Sequence, residues 1–186
     1  MVKRGILWYA VGPSGAGKDS LLRWIAQNTQ PPAVRVARRV VTRATDASED
    51  AERMSVADFA ATVRAGGFAL HWQANGLHYG VPREIDSWLA SGSQVVVNGS
   101  RAHMQQLLDA YPRARIVWLR VAPQIAAARL AQRGRETAEQ IDARLARSER
   151  LESVSGVPAE QLFVIDNNAD LTAAGKALLR LLIRSD

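Results

Sequence analysis

Gly12-Pro13-Ser14-Gly15-Ala16-Gly17-Lys18-Asp19-Ser20 is the stretch on which the reading of this chain turns. It has the G-x-x-x-x-G-K spacing of a phosphate-binding loop. Before it, residues 5–11 (Gly-Ile-Leu-Trp-Tyr-Ala-Val) form an almost unbroken apolar run, as a strand covered on both faces requires. After it, Leu21, Leu22 and Ile25 recur at helical spacing over 17–28. A glycine-rich turn between strand and helix lets successive backbone N–H groups converge on phosphate oxygens, and the helix start adds the positive end of its dipole. Lys18 is then placed to neutralise the outer phosphates of a nucleotide. A chance glycine turn before a helix has no need of that lysine. All nine residues, Gly12 to Ser20, are therefore candidate nucleotide contacts, with Lys18 also catalytic.

The stretch departs from the common pattern at one place. The residue after the lysine is usually Ser or Thr, whose hydroxyl holds Mg²⁺; here it is Asp19, and Ser20 follows. The aspartate that usually ends a later core strand is also missing, because the run at 94–98 (Gln-Val-Val-Val-Asn) ends in Asn98. The two departures together predict that Asp19 supplies the carboxylate near Mg²⁺, directly or through water, with Ser20 beside it. The alternative is that Asp19 only complements the helix N-terminus by its charge.

Outward from the loop, strand and helix signals alternate. Residues 34–41 read as a strand and 43–54 as a polar, acidic loop. Ser55 reads as the cap of a helix at 56–65, with Asp58 three residues on. Gly66-Gly67 ends that helix, and strands near 68–73 and 77–80 flank the turn Asn75-Gly76. Pro82 is expected to open a helix reaching about Ala90. Then follow the strand at 94–98, a helix at 101–110, a strand at 114–121 and a helix from Pro123 to about Gln132. An arginine-rich bend, a helix at about 137–151, a strand at 161–166 and a closing helix at 170–184 complete the chain. This alternation predicts an α/β fold with a parallel sheet flanked by helices on both faces. The hairpin region 55–80 reads as an insertion over that sheet.

Composition narrows the chemistry. The 186 residues, 47% of them hydrophobic, suit one domain with a real core. Without cysteine there is no disulfide, thiolate zinc site or cysteine nucleophile. His71, His78 and His103 lack the spacing of a helical zinc motif. The apolar run at 5–11 is stopped by Gly12 and Pro13, far short of a membrane helix, and no cleavage site follows it, so a cytoplasmic protein is expected. The net charge of +6, with 21 arginines among 24 basic residues, suits an anionic partner. Arginine-rich codon usage yields the same balance, so charge alone does not choose between nucleic acid, membrane surface and a phosphorylated small molecule.

At the level of motifs the chain resembles the guanylate-kinase-like branch of the P-loop kinases. Gly-Pro-Ser-Gly-Ala-Gly-Lys is that branch's opening; Val41-Thr42-Arg43 stands where those enzymes have Thr-Thr-Arg, and Tyr79-Gly80 matches their Tyr-Tyr-Gly. The segment from Arg129-Leu130 through Arg133-Gly134-Arg135 to Ile141-Asp142-Ala143-Arg144-Leu145 is similar to their lid. The acceptor side departs from guanylate kinases: His71 replaces the glutamate before Trp72, Asn98-Gly99-Ser100-Arg101 replaces the aspartate after the strand, and Asp46 stands for a second arginine. A guanine edge offers N–H donors and needs carboxylate acceptors; here those acceptors are gone. Gly-Lys-Asp-Ser at 17–20, residues 71–81 and Val-Asn-Gly-Ser-Arg-Ala-His at 97–103 resemble the ribose 1,5-bisphosphate phosphokinases, the PhnN family.

That resemblance implies a P-loop kinase with a core (1–36, 92–132 and 152–186), an acceptor-binding insertion (about 37–91) and a lid (about 133–151). It implies transfer of a phosphoryl group from ATP, with Mg²⁺, to ribose 1,5-bisphosphate, giving 5-phosphoribosyl 1-diphosphate (PRPP) beside phosphonate breakdown and NAD synthesis. Arg133 and Arg144, with Arg135 and Arg147, would close over the phosphates; Arg129 would join the ATP site, and Asn167 falls in the stretch lining the adenine pocket. Arg43, Tyr79 and Arg101, with Arg39 behind them, would grip the acceptor, and His71, Asn98, Ser100 and His103 are placed to bond its hydroxyls or second phosphate. Neither nucleic acid nor membrane is an expected partner.

Blander roles stand beside these. The lid arginines also suit a solvated helix paired with Glu136, Glu139 and Asp142. His71 and His78 also suit hairpin packing, and Trp8, Trp72, Trp88 and Trp118 read as core. Three rival functions remain open at this point: a nucleoside monophosphate kinase, a non-catalytic scaffold of the same fold, and a nucleic-acid binder, which would show a basic stripe with stacking aromatics.

Overall fold

The apolar run before the loop motif becomes a strand and the periodic stretch after it a helix. A computed structural model describes residues 4–42, 51–74, 76–132, 134, 137–149 and 156–184, without the side chains of 144 and 147–149. Strand β1 (Leu7–Val11) leads into the loop and helix α1 (Lys18–Asn28) out of it. The chain continues through β2 (Val34–Ala37), β3 (Arg39–Val41), β4 (Ala51–Arg53) and α2 (Val56–Arg64). A hairpin of β5 (Phe68–Ala74) and β6 (Leu77–Pro82) follows, then α3 (Glu84–Ala90), β7 (Gln94–Asn98) and α4 (Met104–Ala110). The last part holds β8 (Arg115–Arg120), α5 (Pro123–Gln132), α6 (Ala138–Glu149), β9 (Leu162–Asp166) and α7 (Leu171–Ile183).

Five strands form a parallel sheet in the order β2-β7-β1-β8-β9. Side chains alternate across it. Ile6, Trp8 and Ala10 face one way, onto Leu21, Leu22 and Ile25 of α1 and Leu178 and Leu182 of α7. Leu7, Tyr9 and Val11 face the other, onto Ile85 and Leu89 of α3 and Leu107 of α4. Each fully buried leucine or isoleucine there contributes about 1.5–3 kcal/mol relative to leaving it in water. Gly175, in the middle of α7, is explained by the same packing: a Cβ there would stand 2.3 Å from the ring of Trp24 on α1.

The remaining strands form a second sheet, ordered β4-β3-β6-β5. Its inner face carries Leu70, Trp72 and Val81 into the core, while its outer face is closed by Val40, Phe59 and Phe68 under α2. Ser55 caps α2 as expected, its hydroxyl oxygen accepting the N–H of Asp58 at 3.0 Å.

Three expectations change. The stretch 34–41 is two strands in two sheets: β2 pairs with β7, whereas β3 pairs with β6 and β4, the switch falling at Arg38. No Gly, Pro or other turn residue marks the switch, and both sides of it are strand-like. A short strand, β4, lies within the stretch read as a polar loop, held by ladder bonds to β3 and burying only Ala51. Pro82 ends β6 instead of opening a helix, and α3 starts at Glu84. Among the described residues no helix is long and apolar enough to cross a membrane.

Candidate active site

The loop at 12–17 curls between β1 and α1. Gly17 takes a left-handed conformation (φ +84°) as the residue before α1, and no side chain caps the helix, so the N–H groups of its first turn face the loop. A Cβ on Gly17 would come within 2.8 Å of Asn167 Nδ2, so both backbone angle and space demand glycine. Lys18 Nζ donates to the carbonyls of Gly12 (3.0 Å) and Pro13 (3.1 Å), which holds the ammonium at the loop.

Behind the loop, Asn167 is buried at the end of β9. Its Nδ2 donates to the carbonyl of Ala16 at 2.7 Å, and its own carbonyl accepts from Arg129 Nη2 at 2.9 Å. Asn167 thus holds the loop by its side chain, a task distinct from the adenine-pocket lining its position in the sequence implies. Arg129 comes from α5, and its Nη1 and Asn167 Oδ1 are buried polar atoms without a hydrogen-bond partner among the described residues. The guanidinium adds positive potential beside Gly17, where anionic phosphate is expected.

In front of the loop, Asp19 sits in the first turn of α1. Asn98, at the end of β7 and buried, donates Nδ2 to Asp19 Oδ1 at 2.6 Å. Arg39 Nη2 lies 3.6 Å from the same oxygen. A cleft lined by Asp19, Leu22, Arg23, Val36, Ala37, Arg39 and Asn98 lies between α1, β2, β3 and the end of β7. Arg39 continues away from the loop: its guanidinium stands 5.5 Å from the ring centre of Tyr79, which stacks on Trp72 at 5.7 Å and 11°. Arg39 thereby spans from the loop helix to the second sheet.

The exit of β7 follows directly after Asn98. Ser100 Oγ and His103 Nδ1 are 3.2 Å apart, and Arg101 rests over the Trp118 ring at 5.8 Å. Burial holds the His103 imidazole below its ordinary 6.5, so it is neutral at pH 7.

Asp19, Asn98, Arg39 and Tyr79 are brought together; Ser100, Arg101 and His103 lie on the adjoining turn. His71 is not with them. It pairs in register with Gly80 while Trp72 pairs with Tyr79, so strand alternation puts His71 on the opposite sheet face, exposed to solvent. His78 packs against Phe59 at 5.4 Å. Arg43 and Arg133 lie outside the described residues, as does Arg135; Arg144 and Arg147 are on α6 without described side chains. Arg23 was not singled out by motif, though its position four residues after Asp19 puts both on one helix face.

The donor set fits Mg²⁺ of the kind that keeps phosphate and water ligands. Among the described residues no three of His, Cys, Asp and Glu gather. The site offers the single carboxylate of Asp19 with Ser20 after it, and a small hard cation bound mainly through substrate phosphates asks for no more.

No protein-family model matches the chain. Over 176 residues it is 48% identical to the ribose 1,5-bisphosphate phosphokinase PhnN of Burkholderia pseudomallei, covering 95% of this chain and 94% of that one. It is 47% identical to the PhnN of Azotobacter vinelandii, with 96% of each chain covered. The chain belongs to the PhnN family. A more distant PhnN, from Thiobacillus denitrificans, is 40% identical across the whole of this chain. The PhnN fold seen here is that of the guanylate kinases: a crystal structure of guanylate kinase from Anaplasma phagocytophilum superposes with a TM-score of 0.64 at 16% identity, over 97% of this chain and 86% of that one.

Proposed function

We propose that this chain transfers the γ-phosphoryl group of ATP to the anomeric phosphate of ribose 1,5-bisphosphate, giving PRPP and ADP, as a cytoplasmic metabolic kinase. The observation that carries the proposal is the meeting of Asp19, Asn98 and Arg39 at the start of the loop helix, with the Arg39 guanidinium reaching the Tyr79 ring of the second sheet. The names of the relatives in the PhnN family agree with this reading.

An oxygen of the anomeric phosphate attacks the γ-phosphorus, and the bond to the β–γ bridging oxygen breaks, so that ADP leaves. A phosphate monoester is largely ionised at neutral pH. No side chain is then needed to remove a proton, and the work is alignment and charge neutralisation. The loop N–H groups and Lys18 hold the β- and γ-phosphates, with Arg129 behind. Asp19 and Ser20 are the residues that would hold Mg²⁺, which when bound neutralises phosphate charge. Arg39, Arg43 and Arg101 grip the acceptor phosphates through paired N–H donors, and Tyr79 donates its hydroxyl. Arg133 and Arg144 close over the transferring group.

The test is ADP release from the purified chain with ATP, Mg²⁺ and either ribose 1,5-bisphosphate or GMP, with the product read by phosphorus NMR. Turnover with the sugar bisphosphate and a new diphosphate signal are expected. Turnover with GMP alone would overturn the proposal.

A further inference from the structure

Tyr9 lies in the middle of β1, three residues before the loop, and is 1% exposed. Its hydroxyl reaches the turn that leaves the neighbouring strand β7. There it accepts the N–H of Ser100 at 2.8 Å and donates to the Ser100 carbonyl at 3.3 Å. Its ring fills the space a side chain on Gly99 would take: a Cβ there would stand 2.2 to 2.5 Å from three ring carbons. The Gly99 N–H in turn donates to Ala10 on β1 at 2.8 Å. A chain leaving a parallel sheet strands its next N–H and C=O groups without ladder partners. Here one phenol takes the N–H of Ser100 and shares its carbonyl with the N–H of His103, which donates to that carbonyl at 3.1 Å. Burial pushes the Tyr9 hydroxyl up to about 12, against smaller opposing effects of the Ser100 bond and Arg39, so it keeps its proton and donates at every working pH.

We propose that Tyr9 is a positioning residue for the phosphorylated sugar: it sets the register of the β7 exit turn, and thereby the placement of Ser100 and Arg101, without touching the substrate. This rests on the reading above that the chain phosphorylates ribose 1,5-bisphosphate. Tyr9 stands at the root of both halves of the site, since its backbone feeds the ATP loop while its side chain holds the acceptor turn. The two halves therefore separate experimentally: removing the hydroxyl leaves the β1 backbone in place and releases only the turn.

The experiment compares wild type with Tyr9→Phe in steady state, varying ATP and ribose 1,5-bisphosphate separately. The acceptor KM is expected to rise about five- to thirty-fold, the factor that follows when one backbone N–H, that of Ser100, loses its partner. The ATP KM should stay within about twofold of wild type, since the loop keeps its own bonds. Amide hydrogen exchange at Ser100 should quicken in the same variant. Gly99→Ala pushes the ring from the other side and should give the same split between the two KM values. An unchanged acceptor KM in folded Tyr9→Phe, or an equal rise in both KM values, would overturn the proposal. A wild type with no turnover of ribose 1,5-bisphosphate would overturn the functional reading itself, a different result from an active wild type with an indifferent variant.

Discussion

Asn98 donates its amide to the carboxylate of Asp19 at 2.6 Å, tying the end of β7 to the first turn of α1. Two departures from the common loop pattern, 79 residues apart in sequence, thus form one contact. The amide replaces a second carboxylate that would have repelled Asp19, and it holds Asp19 Oδ1 on the side that Arg39 also approaches. Asp19→Asn removes the charge that both partners serve. We expect kcat to fall about a hundredfold, the scale at which a charge-stabilising group acts, and the Mg²⁺ concentration for half-maximal rate to rise. A titration of rate against Mg²⁺ checks this; unchanged turnover and Mg²⁺ requirement would leave Asp19 as a helix-end charge only.

Asn167 supports the loop from behind through the Ala16 carbonyl. Asn167→Ala leaves that buried carbonyl without its partner, at a cost of about 1–3 kcal/mol. Chemical denaturation should register the loss, and the ATP KM should rise while the acceptor KM does not.

Arg144 belongs to α6, in the segment whose motif matches a kinase lid. Arg144→Ala should lower kcat/KM about a hundredfold or more if it neutralises the transferring phosphoryl group. A change of only a few-fold would assign it to the solvated face of the helix.

His103 gives a pH dependence whose sign follows from burial. Its folded value lies below the ordinary 6.5, so the unfolded chain takes up a proton there sooner than the folded one. Its contribution to stability is complete above 6.5 and is lost as pH falls from 6.5 through the folded value. NMR titration should show the His103 midpoint below 6.5, and His103→Asn should remove part of the acid-side slope of stability against pH.

Gly175→Ala places a methyl group against the Trp24 ring. Overpacking of this kind costs about 1–3 kcal/mol, which outweighs the helix propensity that alanine adds. A lowered denaturation midpoint with the KM values unchanged is expected, because the contact between α1 and α7 lies on the sheet face away from the acceptor.

Much of the architecture was legible because its signals are local. A glycine-rich loop with its lysine, apolar runs of strand length, a serine cap before α2 and the glycines that end it all depend on residues close together in the chain. Arg38 shows the limit: the pattern on either side of it is equally strand-like, and only the competing partners β7 and β6 decide that the chain changes sheets there. His71 shows another. Adjacent to Trp72 in sequence, it reads as one of the acceptor residues, but the period-two alternation of β5 sends neighbours to opposite faces, and which face Trp72 and Tyr79 share is a matter of how the hairpin docks.

The amino-acid sequence by itself determined that this chain carries a phosphate-loop motif at residues 12–20 and builds an α/β sheet around that loop, since spacing and periodicity are short-range properties that need no partner. The tertiary structure alone decided that Asn98 answers Asp19, that Arg39 bridges the loop helix and Tyr79, and that Tyr9 holds Ser100. Each of these joins residues far apart in sequence on separate elements, and only the pairing of β1 with β7, the seating of α1 at the end of β7 and the docking of the second sheet bring such groups within hydrogen-bonding or ion-pairing distance.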